Sequence, residues 1–259
     1  MQAPFRKTAL KRLFFGKDKS GVHMNKANKK QTVSGKNRIF DAIRADDITL
    51  VKTILTEDSF AVNAIAPKRP LDTRGMSPLQ VALCTGRHKE IAWLLLESGA
   101  DVNYLPDKKI AEEARPVLFD GVNAAIWNAR RYAWDGKDTT PLHLEWKHTK
   151  EQADDAFAFL QRMLELGADI SVTDHYGRNC LMEAVSEASN LCPVRNQETG
   201  GFYPGHPITP EMCEDLQRIF RLLIDAGADR DNVSAFSGKS IRQHYENESV
   251  WQICGTLWD

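Results

Sequence analysis

Apolar residues recur at helical spacing in three segments of the chain, and each segment ends at a glycine. Counted back from Gly99, Gly167 and Gly227, the positions eight, seven, four and three residues earlier are apolar. This spacing lies on one face of a helix, so each segment is predicted to be an amphipathic helix that buries one stripe. The stripes are Ile91, Ala92, Leu95 and Leu96; Phe159, Leu160, Met163 and Leu164; and Ile219, Phe220, Leu223 and Ile224.

The same tripeptide, Gly-Ala-Asp, follows each predicted helix, at 99–101, 167–169 and 227–229. Glycine ends a helix in the left-handed conformation, where a side chain would cost about 1 kcal/mol. Alanine is small enough for a neighbouring unit to pack closely, and the aspartate carboxylate can accept a hydrogen bond from a backbone amide of the turn. The tripeptide therefore predicts a repeated turn rather than a repeated reactive group.

A second pattern marks the starts of shorter helices. A turn glycine is followed by Ser, Thr or Asn and then by an apolar stretch, at 75–83, 136–144, 176–185 and 237–244. Ser77, Thr140 and Asn179 are predicted N-caps. Pro78 and Pro141 suit the first helical turn, because the N–H that proline lacks has no partner there. Each unit is thus predicted to contain a turn, a short helix, a longer helix and a glycine stop.

These units resemble the ankyrin repeat family, whose period is about 33 residues and whose signature is T-P-L-H-x-A. The best matches are Ser77-Pro78-Leu79-Gln80-Val81-Ala82 with Gly99-Ala100-Asp101, and Thr140-Pro141-Leu142-His143 with Gly167-Ala168-Asp169. A weaker first unit covers 37–63, with Ser59 in place of the glycine, and a capping unit ends the chain at 249–258. The resemblance covers roughly residues 37–259 and implies an all-α solenoid of about five to six helix-turn-helix repeats.

Two spacings depart from the family period. The first two repeated glycines are 68 residues apart, about two periods, with one good repeat start between them. Residues 115–134 are either a degenerate repeat, which we favour, or the first helix of one long repeat that carries 131–147 as an inserted hairpin around Asp135-Gly136. The last two glycines are 60 residues apart, so roughly 27 residues are inserted there. They include the Gly- and Pro-rich stretch 190–210, a predicted loop.

Composition favours a soluble cytoplasmic protein. The chain is 42% hydrophobic and 27% charged, as in ordinary globular domains. No apolar run approaches the roughly 18 residues that a membrane-spanning helix needs. The five cysteines contain no C-x-x-C pair, so we expect reduced and mostly buried thiols: Cys84, Cys180, Cys192, Cys213 and Cys254.

Charge is distributed unevenly between a basic tail, residues 1–36, and a repeat domain, residues 37–259. The tail contains ten Lys or Arg and one acid, a net charge of +9, and the whole chain has −1, so the remainder carries −10. Within 3–16, apolar residues at helical spacing alternate with basic ones, which is typical of a cationic amphipathic helix. Such a segment can rest on anionic lipid, bind nucleic acid or dock on an acidic partner. A flexible solubilising extension is the favoured interpretation.

Three groups of residues suggest chemistry, and each has a structural explanation. The sequence SAFSGKS at 234–240 lacks the first glycine of a phosphate-binding loop, because Val233 occupies that position. The two histidines of HLEWKH at 143–148 are five apart, whereas H-E-x-x-H requires four. No paired ligand spacing for zinc exists among His175, His206, Cys180, Cys192 and Cys213. We therefore expect no catalytic residue, no cofactor and no metal.

Two functions are consistent with this organisation. Stacked helix pairs present turns and first helices on a concave face that binds macromolecules, usually proteins. The first hypothesis is a monomeric, non-catalytic module for one intracellular protein; proteins similar to ankyrin repeats include immunity proteins, which neutralise toxins, and effectors. The acidic body favours a basic partner. The second hypothesis is a peripheral adaptor that its basic tail holds on membrane or nucleic acid.

Aromatic and arginine side chains in turns and inserts are the candidate partner-binding residues, because these residue types dominate interface energies. They are Arg130, Arg131, Tyr132, Trp134, His175, Tyr176, Arg178, Phe202 and Tyr203.

Overall fold

The computed structural model describes residues 37–84, 89–110, 115–134, 144–193, 199 and 207–259, and only the backbone of Trp134. Helices dominate this part of the chain. They are α1 (Arg38–Arg44), α2 (Ile48–Glu57), α3 (Pro78–Cys84), α4 (Lys89–Glu97), α5 (Val117–Trp127), α6 (Lys150–Glu165), α7 (Cys180–Leu191), α8 (Pro210–Asp225), α9 (Ile241–Tyr245) and α10 (Trp251–Cys254). Short 3-10 turns cover Ser59–Asn63, Leu71–Thr73 and Gly255–Leu257. The tail and most of the predicted loop 190–210 lie outside the described residues.

The helices pack in pairs that contact one another in chain order. The pairs α1–α2, α3–α4, α5–α6 and α7–α8 are in contact. The first helices of successive pairs also pack together, α1 on α3, α3 on α5, α5 on α7 and α7 on α9. Among the second helices, α2 contacts α4, α6 contacts α8, and α8 contacts α10. The core therefore runs between two rows of helices.

The apolar stripes predicted from the sequence line this core. All four residues of the α4 stripe are buried, and in α6 and α8 the last stripe residues, Leu164 and Ile224, are partly buried while the others are buried. Across the second and third pairs, the ring of Trp93 contacts that of Phe159 edge-on with centroids 4.9 Å apart. The predicted helical faces are thus confirmed.

The three Gly-Ala-Asp corners have one conformation. Gly99, Gly167 and Gly227 have φ of +88°, +88° and +101°. In each corner the alanine N–H reaches back to the carbonyl five residues earlier, the pattern of a Schellman motif. Each aspartate accepts a hydrogen bond from the backbone N–H two residues later, at 2.9 Å. The predicted glycine stop and the predicted role of the aspartate are confirmed.

Asparagine side chains join one corner to the next. Asn63 donates to the carbonyl of Gly99 at 3.2 Å and accepts from the N–H of Asp101 at 2.8 Å. Asn103 makes the same pair of bonds one unit further on, to the Gly167 carbonyl at 2.9 Å and from the Asp169 N–H at 2.7 Å. These corners therefore lie in a row along one side of the stack.

The predicted helix starts are confirmed where they are described. The Ser77 hydroxyl accepts from the Gln80 N–H at 3.2 Å, and the Gln80 side chain accepts from the Ser77 N–H. Asn179 caps α7 by accepting from the Met182 N–H at 2.9 Å. Ser240, in the stretch similar to a phosphate-binding loop, caps α9 in a capping box. Thr140 and Pro141 lie outside the described residues.

The third pair contains an inserted hairpin. Strand β1 (Arg131–Trp134) pairs antiparallel with β2 (Leu144–Lys147), in a register that sets Tyr132 opposite Trp146. Their rings meet edge-on with centroids 4.9 Å apart, and such cross-strand aromatic pairs stabilise sheets. The favoured interpretation of 115–134 as a degenerate repeat is therefore wrong, and the alternative, a first helix followed by a hairpin, is present. The fold is mostly helical rather than all-α.

Replacing Asn103 tests whether the corner bonds hold adjacent units together. We expect Asn103→Ala to lower the free energy of unfolding by about 1–2 kcal/mol, because two hydrogen bonds between units are lost. Urea denaturation followed by circular dichroism measures the change. Thr53→Ala is the control, since the Thr53 hydroxyl bonds only the Thr49 carbonyl of its own helix, and it should change stability by less than about 0.5 kcal/mol. Equal losses in the two variants would contradict the role of Asn103.

Candidate functional site

Two neighbouring turns precede α7 and α9 and are hydrogen bonded to each other. Each is closed by an isolated bridge, Thr173 to Asn179 and Val233 to Ser240. The carbonyl of Tyr176, in the first turn, accepts from the N–H of Ala235 in the second at 2.8 Å. These bonds fix the two turn tips side by side.

The tips carry a cluster of aromatic rings, which we call the turn-tip cluster: His175, Tyr176, Arg178 and Phe236. The Tyr176 ring lies 3.7 Å from that of His175 and 5.4 Å from that of Phe236, centroid to centroid. The guanidinium of Arg178 lies 5.4 Å from the centre of the Tyr176 ring. Phe236 is 70% exposed. An exposed aromatic surface therefore sits on turns that are held rigidly by hydrogen bonds.

Arg178 connects this cluster to a row of charges on α5 and α7. Its guanidinium pairs with Asp174 at 2.7 Å and with Glu183 at 3.1 Å. Arg115 similarly pairs with Asp120 at 2.7 Å and lies 3.5 Å from Glu183. We call these five side chains, together with Glu187, the charged row: Asp120, Asp174, Glu183, Glu187, Arg115 and Arg178. The carboxylates are at most 7% exposed, so the arginines stabilise charges that would otherwise be costly to bury.

The row continues to Glu187 near the middle of α7. Its carboxylate accepts from the indole N–H of Trp127 at 2.9 Å and from the Asn190 side chain at 3.5 Å. Burial, followed by the neighbouring charge of Glu183, raises the pKa of Glu187 above its ordinary value of 4.5, against the opposing effect of the Trp127 hydrogen bond. The charged form of Glu187 is therefore less stable in the folded chain than it is in water.

Arg130 is buried, so the expectation that it is an exposed binding side chain is wrong. Its guanidinium donates two hydrogen bonds to the carboxylate of Asp215 in α8, from Nε and from Nη2, each at 2.9 Å. Nη2 also donates to Glu214 at 2.7 Å. Arg130 is 9% exposed and Asp215 is 1% exposed. This bidentate pair joins the end of α5 to the next unit, and Arg130 is a structural residue there.

Arg131 and Tyr132 lie at the start of the hairpin, beyond the C-terminal end of α5. Arg131 donates to the carbonyl of Ala129 at 3.2 Å and to that of Trp127, and its guanidinium lies 5.4 Å from the Trp127 ring. Burial lowers the pKa of Arg131 to about 10. The Tyr132 ring packs on Trp146, which is 41% exposed.

The predicted binding residues therefore form two groups. His175, Tyr176 and Arg178 lie at the N-terminal end of α7, whereas Arg131 and Tyr132 follow the C-terminal end of α5. Helices α5 and α7 pack against each other, and Arg115 and Glu183 of the charged row link them. The side chain of Trp134, and both Phe202 and Tyr203, lie outside the described residues.

Sequence reasoning missed Phe236 and the charged row. Phe236 stands two residues before Gly238, as His175 stands two residues before Gly177, so its offset from the turn glycine could have identified it. The charged row has no such signal, because Asp120 and Glu183 belong to different units.

Burial disfavours the thiolate form of most cysteines in the described residues. Burial raises the pKa of Cys84, Cys180, Cys192 and Cys254 to about 12, and three of the five cysteines are buried. In the described part of the chain, no three His, Cys, Asp or Glu side chains are placed to hold a metal ion; His206 lies outside it. None of the described helices is long and apolar enough to cross a membrane.

The raised pKa of Glu187 predicts a pH-dependent stability. The folded chain binds the Glu187 proton more tightly than the unfolded chain, so stability from this group is present at low pH and is lost as pH rises above 4.5. Glu187→Gln keeps an acceptor for the Trp127 indole and removes the charge. We expect its free energy of unfolding, relative to wild type, to increase between pH 4.5 and pH 7 in urea denaturation. Thr53→Ala, which removes no titratable group, should parallel wild type; a Glu187→Gln curve that also parallels wild type would refute the assignment.

Comparison with known proteins matches one segment of the chain. The ankyrin repeat family model matches residues 74–107, which contain α3, α4 and the Gly99 corner. None of the curated proteins compared with the chain matches it. Ankyrin repeats generally mediate protein–protein interaction and are typically non-catalytic. Residues 74–107 therefore match an ankyrin repeat, and this is the one repeat that the family model finds.

Proposed function

We propose that the chain is a non-catalytic module that binds one specific protein. The binding surface would be the turn-tip cluster together with the exposed edge of the charged row and the hairpin residues Arg131, Tyr132 and Trp146. The proposal treats residues 37–259 as one domain, a solenoid of five helix pairs. The contacts of successive first helices from α1 to α9 support this arrangement.

Phe236 is the observation that carries the proposal. It is 70% exposed, it packs edge-on against Tyr176, and it stands on a turn that is hydrogen bonded to its neighbour. An aromatic residue fixed in this way loses little conformational freedom on binding. Aromatic and arginine side chains also supply most hot spots of protein interfaces. Tyr176, Arg178 and Phe236 together meet these conditions.

The net charge of −10 on residues 37–259 favours a partner with a basic surface. The carboxylates of the charged row are at most 7% exposed, so they support the surface from beneath and do not themselves meet the partner. Complementary charge accelerates encounter and selects among partners more than it adds affinity.

Within this proposal, the chain is a cytoplasmic monomer, and neutralising a toxin or acting as an effector are specific forms of the same binding. The adaptor hypothesis depends on the basic tail, residues 1–36, which lies outside the described residues. No observation on the described residues favours it over protein binding.

Truncation of the half-buried Tyr176 ring and the exposed Phe236 ring tests the proposal. The wild-type chain and a Tyr176→Ala/Phe236→Ala variant are each used to capture partners from native cells, and the captured proteins are compared by quantitative mass spectrometry. We expect one partner captured by wild type to bind the double variant about 30-fold more weakly, the effect of losing about 2 kcal/mol at a hot spot. Titration of the purified partner measures the change.

Leu166→Ala is the matched control, because Leu166 is also exposed, at 41%, but lies at the end of α6, away from the turn tips. It should bind the partner as wild type does. Circular dichroism checks that all variants keep their helices. Equal capture by the double variant, or no protein enriched by wild type over an unrelated helical protein, would refute the proposed surface.

A further inference from the structure

The turn before α9 holds a serine hydroxyl against a histidine ring. The Oγ of Ser237 lies 2.6 Å from Nε2 of His244, which belongs to α9. Both side chains are partly exposed, and Ser237 stands between Phe236 and Gly238, which are exposed. The pair includes a residue of the stretch 234–240, which is similar to a phosphate-binding loop, and the proposed binding surface does not use it.

Backbone hydrogen bonds hold both members of the pair in place. The Gly238 N–H donates to the Ser234 carbonyl at 2.8 Å, and the Ser234 N–H donates to the Lys239 carbonyl at 3.1 Å. Ser240 caps α9 through a capping box, and the His244 N–H donates to the Ser240 carbonyl at 3.1 Å. The turn and the helix are therefore joined by their own backbone, so the fold itself keeps the hydroxyl and the imidazole together.

The imidazole is neutral at pH 7. Burial, followed by the charges of Lys239 and Arg178, lowers the pKa of His244 below its ordinary value of 6.5. A neutral ring carries a proton on one nitrogen only. The Ser237 Oγ accepts from the Lys239 N–H at 3.4 Å, so the hydroxyl proton is free to point at Nε2. Nε2 is accordingly assigned as the acceptor of this bond and Nδ1 as the protonated nitrogen.

A serine hydroxyl that donates to a neutral imidazole has the arrangement of an activated nucleophile. The imidazole takes the hydroxyl proton while the oxygen attacks, and general-base help of this kind accelerates attack by about 10²–10⁴-fold. Lys239 and Arg178 also place positive charge near the ring. Positive charge stabilises the negative oxygen that forms when a carbonyl is attacked.

We infer that Ser237 is a covalent modification site that accepts an acyl group from an activated ester, with His244 as the general base. The Ser237 Oγ forms a bond to the ester carbonyl carbon, Nε2 takes the hydroxyl proton, and the bond from that carbon to the leaving oxygen breaks. The proton then passes from Nε2 to the leaving oxygen. Each chain is acylated once and is consumed, so the proposed binding module remains non-catalytic. The inference does not depend on a protein partner.

Ser171 provides a matched comparison within the same chain. Its hydroxyl is exposed and also donates over 2.6 Å, but to the carboxylate of Asp169. Hydrogen bonds from Ser171 lower the pKa of Asp169, so this carboxylate is a poor acceptor for the proton of a reacting hydroxyl. The two serines thus differ in the base that they contact and not in the length of the hydrogen bond.

Acetylation of the full-length chain by p-nitrophenyl acetate tests the inference. Peptide mass spectrometry measures the acetylation rate of each serine separately, so acetylation of lysines does not enter the comparison. At pH 7 we expect Ser237 to react about 100-fold faster than Ser171, within the range of general-base catalysis. His244→Gln should lower the rate at Ser237 to that of Ser171. Circular dichroism checks that the variant keeps its helices.

The pH profile gives a second measurement that does not rely on a variant. His244 is already deprotonated at pH 7, so the rate at Ser237 should stay constant between pH 7 and pH 8. The rate at Ser171 should rise about tenfold over the same interval, because an unassisted hydroxyl reacts through its alkoxide.

Three results would overturn the inference. The first is equal acetylation rates at Ser237 and Ser171 in wild type. The second is an unchanged rate at Ser237 in a folded His244→Gln variant. The third is a tenfold rise of the Ser237 rate between pH 7 and pH 8, which would identify unassisted attack. None of these results changes the test of partner capture at Tyr176 and Phe236, because that test alters neither Ser237 nor His244.

Discussion

The close contact of one corner with the next is the constraint on which the stack depends. An asparagine side chain can bond the backbone on both sides of Ala100 only if nothing larger than a methyl group stands between. The left-handed glycine before the alanine turns the chain so that its carbonyl faces the neighbour. Backbone groups left over at the end of a helix thus become the bonds that align the next unit. The junctions from the first unit to the second and from the second to the third are aligned in this way.

The first helices use a different kind of contact, and it determines where binding chemistry can sit. Arg115 joins Asp120 of α5 to Glu183 of α7, and Arg178 joins Glu183 to the turn before α7. A buried charge that loses its partner costs far more than the pair contributes, so these arginines hold the turn tips in a fixed relation to the helices. The position of Tyr176 therefore depends on charges buried beneath its turn, whereas the turn of Phe236 is held to it by the hydrogen bond from the Ala235 N–H.

Local features of this fold could be predicted from the sequence, and features made by distant residues could not. The stripes of α4, α6 and α8, the glycine stops and the caps at Ser77 and Asn179 each depend on residues within one or two helical turns. Arg130 was predicted to be exposed because its partner, Asp215, is 85 residues away and gives no sign in the sequence near it. The hairpin was not the favoured interpretation because Gly99 and Gly167 are 68 residues apart, about two repeat periods. That spacing suggests an additional repeat between them. The corner asparagines were visible at a constant offset, but their bonds appear only once units are stacked.

Inserted residues and exposed apolar side chains both occur in this molecule where a neighbouring unit does not cover the chain. A unit in the middle of the stack must keep its corner and its helical stripe, because both are covered by neighbours on two sides. The connection between its two helices can accept inserted residues, as the strands of the hairpin between α5 and α6 show. Among the described residues the first corner has a neighbour on one side only, and there Phe60, 86% exposed, stands where later corners have alanine. Binding surfaces can change at these uncovered positions, whereas the corners that align the units cannot.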